Sequence, residues 1–316
     1  VIDRIKDPQF KSALIYPLFV QGQKIGSMVL LKEVTGGFNK DVVNIIKTFG
    51  NQAGVSIENF RLLRSALQNE RYQEEIKIAK RVQESLLPND LESNGTMDIV
   101  AFSTAADEVG GDYYDVYRVN DDKMVIIIGD VSGKGTSAAF NMSQMKGVFH
   151  SLVPLNLSAK DFLIRANDAL SRCLERTSFI TLSYFIIDTN SRQIEFCRAG
   201  HCPSLFYSQQ KGKTCFLENK GMGLGIIRNQ KYSQYIEVNQ LSYGSNDLLV
   251  LYTDGITEAK NAENIEFGYE RLQQIVAENV QKPAGEIQKV LIDELYKFTK
   301  SESIADDYTT LIIKFK

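Results

Sequence analysis

The sequence from Asp98 onward predicts an α+β fold, a sandwich of antiparallel sheets flanked by helices, and three observations carry it. Short apolar runs of strand length recur between turn-forming residues. Two clear helices are inserted among them as a block, which leaves few strand–helix–strand alternations. Finally, the most hydrophobic runs, Val125–Ile128 and Leu248–Leu251, are apolar at every position, as strands buried on both faces are.

Taken in order, Ala13–Val20 and Ile25–Leu31 are two β-rich runs around Gln21-Gly22-Gln23-Lys24 and predict a hairpin. Asn39 then caps a helix in which Val42, Ile46, Phe49, Ala53, Ile57, Phe60, Leu63 and Leu67 recur by threes and fours. The seam falters over the polar stretch Gln68–Glu75 and resumes at Ile76, Ala79, Val82 and Leu86, until Pro88 stops the helix. A continuous helix from Asn39 is on the order of 70 Å long at 1.5 Å per residue. A parallel coiled-coil twin is the simplest way to bury its stripe, with folding back onto its own domains as the alternative. Beyond it, strands are expected at Asp98–Ser103, Tyr114–Val119, Lys123–Asp130, Phe179–Asp188, Gln193–Ala199, Ser204–Tyr207, Asp247–Asp254 and Tyr308–Phe315. Helices are expected near Thr136–Phe149, Ser158–Glu175, Tyr269–Val280 and Gly285–Lys300.

The chemistry lies at the strand ends. The run Val125–Ile128 closes on Gly129-Asp130, and glycines then turn the chain into an Ala-rich helix. A carboxylate at the end of a central strand is costly unless something compensates it. The arrangement returns at Leu248–Thr253, which closes on Asp254-Gly255. Two more acidic turns follow the same logic, Gly110-Gly111-Asp112 with Asp115, and Ala305-Asp306-Asp307 before the last strand. Oxygen ligands from four distant places suit a hard cation. Two look-alikes fail. The segment Gly129–Thr136 has three residues rather than four before its Gly-Lys pair, and Lys134 precedes Gly, so it is no phosphate-binding P-loop. The GGDYY turn differs from the GGDEF signature of diguanylate cyclases at its fourth residue.

At 316 residues the chain has room for two domains and a connector. A net charge of −3 with no basic stripe gives no reason to expect a nucleic-acid partner. Cys173, Cys197, Cys202 and Cys215 show neither a disulfide framework nor a CxxC pair, which points to reduced thiols and a cytoplasmic setting. No run approaches the ~20 apolar residues of a membrane span.

Two resemblances add to this. The first stretch, through Tyr16-Pro17-Leu18, Ile25-Gly26-Ser27 and Phe38-Asn39-Lys40-Asp41, resembles the C-terminal half of a GAF domain without the half that carries most of a ligand pocket. The resulting division is 1–59 GAF-like part, 60–88 helical coiled-coil linker and 89–316 catalytic domain. From about Ile76 on, the chain resembles the SpoIIE branch of the metal-dependent (PPM, or 2C-type) serine/threonine protein phosphatases. The matching segments are Ala79–Pro88, Glu108–Asp115, Gly129–Gly135 with Ala138-Ala139, Phe179-Ile180-Thr181, Ala199–Pro203, Tyr252–Ala259 and Asp306–Thr309.

That resemblance implies a PPM-type α-β-β-α sandwich holding two Mn²⁺ or Mg²⁺ ions. Asp130 is then the bridging ligand with the Val131 carbonyl beside it, Asp112 serves one ion, and Asp254 and Asp306 serve the other. It leaves the roles of Asp115, Asp307 and Glu108 open. Lys134, which stands where the family often has His, is expected to be solvated, and His201 to be a structural hydrogen-bonder. The resemblance further implies a phosphorylated STAS-type anti-anti-sigma protein as substrate and an upstream sensor acting through a helical homodimer. A non-catalytic dimeric scaffold of the same fold is the alternative.

Overall fold

In the computed structural model, residues 9–88, 91, 95–301 and 304–316 are described. The chain divides into two units, one ending at Glu75 and one running from Ile76 to Lys316. The N-terminal unit opens with the hairpin β1 (Ser12–Val20) and β2 (Gln23–Lys32), paired antiparallel. Gln21 and Gly22 both take positive φ, 48° and 82°, which matches a two-residue turn to the twist of the strands. Helix α1 (Lys40–Leu86) follows, and Asn39 caps it by accepting from the Val42 amide at 2.9 Å.

The apolar stripe of α1 divides in a way its spacing did not indicate. Ile46, Gly50 and Gly54, one turn apart, form its buried line. A Cβ at Gly50 would stand 2.4 Å from the Tyr16 ring, and one at Gly54 3.1 Å from the Phe19 carbonyl oxygen. Glycine is therefore what lets the helix lie on the hairpin. Phe49, Phe60, Leu63 and Leu67 are instead 68, 66, 59 and 51% exposed.

The second unit begins within the same helix. Ile76 is buried there, and Leu86 with Leu87 packs into its core, whereas Val82, expected on the same seam, is exposed. The chain then runs through β3 (Met97–Thr104), β4 (Tyr113–Arg118), β5 (Lys123–Val131), α2 (Gly135–Leu152), α3 (Ala159–Cys173), β6 (Ile180–Asp188), β7 (Gln193–Ala199) and β8 (Ser204–Ser208). It continues through β9 (Lys213–Leu217), β10 (Val238–Ser242), β11 (Leu248–Tyr252), α4 (Asp254–Thr257), α5 (Gly268–Asn279), α6 (Ala284–Thr299) and β12 (Tyr308–Phe315).

Two five-stranded antiparallel sheets result, ordered β10-β7-β6-β5-β4 and β3-β12-β11-β8-β9. Side-chain alternation explains their all-apolar central strands. In β5, Val125 and Ile127 join the core under α2 and α3, while Met124, Ile126 and Ile128 join the core between the sheets. In β11, Leu248 and Val250 pack toward α5 and α6, and Leu249 and Leu251 face the other sheet. The architecture is thus α-β-β-α, as expected.

Two strands were not foreseen, β9 and β10. Both are five-residue edge strands rich in Lys, Thr, Asn and Gln, and exposure on one side removes the hydrophobic signal. Strand β11 also stops at Tyr252, two residues short of expectation, and Asp254 opens the short α4. Glycine is required just beyond, at position 255, where a Cβ would lie 1.9 Å from the Asp307 carbonyl oxygen. All four cysteines are unpaired, and among the described residues no helix is long and apolar enough to cross a membrane.

Candidate metal centre

Strand pairing brings the acids together. Asp130 lies opposite Thr181, and Tyr113, which follows Asp112, lies opposite Gly129, so the two acids sit on neighbouring strands of one sheet. Asp130 shares its parity with Ile126 and Ile128 and therefore lies on the inter-sheet side. From the facing sheet, Tyr252 pairs with Thr310, which sets Asp254 beside the turn holding Asp306 and Asp307.

Asp112 is buried, and its Oδ2 accepts from both the Thr253 and Thr309 hydroxyls at 2.7 Å. Thr309 is further tied to Ser103 at 2.8 Å, and its amide donates to Thr253 Oγ1 at 2.9 Å. One carboxylate oxygen is thus fixed by the opposite sheet, and its partner is left for another interaction. Burial and Asp130 drive the Asp112 carboxyl well above the usual carboxylate range. Burial, then Asp254, Asp306 and Asp307, push Asp130 up to about 8. Asp254 is raised by burial and by Asp306.

Mutually repelling hard-oxygen groups of this kind fit divalent cations. At Gly111 a Cβ would fall 2.8 Å from the Val131 carbonyl oxygen and 3.2 Å from Asp130 Oδ1, so glycine leaves both oxygens uncovered. Among the described residues no three acidic, His or Cys side chains converge on one point. The counter-charge in this structure is Lys134, whose Nζ lies 3.0 Å from Asp306 Oδ1 and donates to the Ala305 carbonyl at 2.7 Å. This corrects the expectation of a merely solvated lysine. The turn before β12, some 170 residues away in sequence, reaches it.

The remaining candidates separate. Asp307 accepts from the Ala106 and Gly111 amides at 2.8 and 2.5 Å and so pins the loop that carries Asp112. Asp115 points to the opposite face of its sheet, where Tyr113, Lys146 and His150 surround it at 2.7, 3.2 and 2.8 Å. Glu108 is exposed. His201 is buried between the Thr181 hydroxyl on Nδ1 and the Tyr252 carbonyl on Nε2, at 2.9 and 3.0 Å. A carbonyl only accepts, so Nε2 carries the proton, and burial lowers the imidazole to about 4. His201 therefore ties the sheets together as a neutral ring, the structural role expected of it.

Sequence reasoning missed Gln83. Its side chain donates to the Gly110 carbonyl at 2.6 Å and accepts from the Gly110 amide at 3.0 Å, clamping α1 to the turn before Asp112. It also missed Thr253 and Thr309, and nothing in their spacing announces a bond to an acid more than a hundred residues away. If Asp112 is a metal ligand, as the resemblance implies, Thr309→Val should weaken Mn²⁺ binding by about 10–100-fold, with Thr309→Ser restoring it, because partners that orient a ligand carry that much affinity. Calorimetric titration of Mn²⁺ into both variants checks this, and wild-type affinity in Thr309→Val would refute it.

An α-β-β-α sandwich with acids at the ends of its central strands is the architecture of the PP2C-type protein phosphatases. The family model for Stage II sporulation protein E (SpoIIE) matches residues 120–316, and the chain belongs to this family and is a protein phosphatase. It is 32% identical over 264 residues to phosphoserine phosphatase RsbU of Bacillus subtilis, which covers 83% of this chain and 76% of RsbU. It spans less than half of two further relatives. In fold it resembles the SiaA-PP2C domain of Pseudomonas aeruginosa, with a TM-score of 0.68 and 19% identity over 79% of this chain and 99% of that one. It also resembles the catalytic domain of the serine/threonine phosphatase PstP in complex with two manganese ions, with a TM-score of 0.50 and 12% identity over 70% and 98% of the chains.

Proposed function

We propose that the chain hydrolyses phosphoserine or phosphothreonine on a regulatory protein in bacterial sigma-factor signalling, using two Mn²⁺ or Mg²⁺ ions. The observation that carries the reading is the electrostatic coupling of acids at four strand ends, in which Asp130, raised to about 8 with burial as the largest cause, feels Asp112 on one side and Asp254 and Asp306 on the other. These four carboxylates and the Val131 carbonyl would hold the ions. When bound, such ions supply an acidified water and neutralise charge on the phosphoryl oxygens. The chain's part is to fix the acids. Thr253 and Thr309 orient Asp112, Asp307 and Gln83 hold its loop, and His201 keeps the sheets in register. A non-catalytic scaffold is disfavoured, because burial and mutual repulsion raise Asp112, Asp130 and Asp254, a cost to the fold for which a scaffold has no use.

Following the family resemblance, the substrate in this reading is a phosphorylated STAS-type protein, and the cell compartment is the cytoplasm. The hairpin and first part of α1 are read as the end of a GAF-like sensory module, and the exposed stripe of α1 as a homodimer seam. The test is phosphate release from a phosphoserine protein with Mn²⁺ or Mg²⁺ against chelator, and release that persists in chelator would overturn the metal assignment.

A thermal measurement gives a second check. Because Asp130 is raised in the fold, its contribution favours the metal-free fold at low pH and is lost as pH climbs from about 4 toward 8. Metal binding requires the ionised carboxylate, so affinity rises over the same window. The gain in Tm on adding Mn²⁺ should therefore be larger at pH 8 than at pH 6, and a pH-independent gain would count against Asp130 as a ligand.

A further inference from the structure

Beside the acidic turn lies an apolar shelf that the metal chemistry does not use. Phe179, just before β6, is bound to that turn twice: its amide donates to Ser132 Oγ at 2.8 Å, and its carbonyl accepts from the Ser132 amide at 3.0 Å. Its ring nevertheless stays 36% exposed. Ile226, 46% exposed, meets it over Gly223, where a Cβ would stand 3.0 Å from Ile226 Cδ1 and 3.3 Å from Phe179 Cδ2.

The backbone under both side chains is fixed. Ile180 and Leu224 exchange amide-to-carbonyl bonds of 3.0 and 2.8 Å. The buried Asn167 of α3 grips the chain on either side of Ile226, accepting from the Gly225 amide and donating to the Ile227 carbonyl, both at 2.9 Å. Arg228 then fastens the loop to the end of α3 through the Gly225 and Leu174 carbonyls at 2.8 and 3.0 Å. Scattered exposed apolar side chains need no explanation. Two that share one rigid platform, hydrogen bonded to the catalytic turn, form a preorganised contact surface with little ordering entropy left to lose.

We propose that Phe179 and Ile226 are a substrate-docking shelf that receives an apolar side chain of the phosphoprotein two or three residues from the phosphoserine. The proposal rests on the phosphoprotein phosphatase reading above. Ser132 lies two residues beyond Asp130, in the bend that follows β5 and so at most about 7 Å along the chain, and a substrate chain of two or three residues spans a comparable distance. A phosphoserine delivered to the acids thus carries its near neighbours over Phe179 and Ile226. Continuity with the catalytic turn argues for the substrate rather than a second copy of the chain.

The probes are two phosphoserine peptides, one with leucine at the second and third residues on either side and one with glycine there. Burying such a side chain predicts a preference of about tenfold in kcat/KM for the leucine peptide in the wild type. Ile226→Ser, and Ile226→Ser combined with Phe179→Ser, should bring that ratio to about unity. Ile226→Ser alone suffices should the double variant fail to fold, since its side chain is half exposed and both backbone anchors remain. Equal use of the two peptides by the wild type, or a preference that survives in the variants, overturns the shelf. If the wild type cleaves p-nitrophenyl phosphate but neither peptide, the phosphoprotein reading itself fails and the shelf falls with it.

Discussion

Asp130→Asn is expected to lower metal-dependent phosphate release by roughly 10²–10³-fold or more, the range seen when one electrostatic contributor to a transition state is removed, while the fold stays intact. Asn has nearly the same shape, and its side-chain oxygen can still accept from the Val131 amide as the carboxylate does. The pairing with Thr181 and the bond from the Thr181 hydroxyl to the Asp130 carbonyl remain. What changes is charge. In the metal-free protein, Asp130 repels Asp254, Asp306 and Asp307. Replacing it should leave the metal-free Tm unchanged or higher, whereas a residue needed only for packing would lower it. Phosphate release, Mn²⁺ titration and thermal unfolding on one preparation separate these cases. A folded Asp130→Asn enzyme that retains Mn²⁺-dependent turnover would falsify the assignment of this carboxylate.

The sandwich was legible because its central strands carry a redundant signal. Val125–Ile128 and Leu248–Leu251 are apolar at both parities, and only a strand covered on two faces uses such a run. Strands β7 and β12 fall on the predicted residues. The edge strands β9 and β10 were invisible because half of each faces water and the other half is too short to set a period. On α1, helical spacing identified the apolar positions but not their destinations. Gly50 and Gly54, with no apolar side chain at all, mark the face that is buried.

At the site, the acids were legible as residues at strand ends, and their orientation followed parity only where the strand was regular. Asp112 and Asp115 belong to one turn-and-strand segment, three residues apart, and therefore lie on opposite faces of the sheet. Asp306 and Asp307 are adjacent yet differ in work, one paired with Lys134 and the other holding two backbone amides. Such distinctions depend on which loop arrives from elsewhere. No local pattern encodes the meeting of Gln83 with Gly110, or of Thr309 with Asp112.

If the exposed stripe of α1 is the homodimer seam proposed above, replacing Phe60, Leu63 and Leu67 together by Ser should convert a dimeric wild type to a monomer at micromolar concentration. These side chains are 66, 59 and 51% exposed, so within one chain they contribute little packing and their loss leaves the fold standing. In a parallel helix pair each would be buried against its twin. At about 1.5–3 kcal/mol per buried side chain, three from each of two helices amount to on the order of 10 kcal/mol, several orders of magnitude in Kd. The polar stretch Gln68–Glu75 beyond the seam adds nothing apolar apart from the exposed Tyr72, so the triple substitution removes the seam's C-terminal end. Light scattering on the wild type and the triple variant reads the mass directly. An unchanged dimer in the variant would place the interface elsewhere, and a monomeric wild type would remove the seam altogether. Loss of the dimer with phosphate release retained would assign the helix to assembly and leave the chemistry to the sandwich alone.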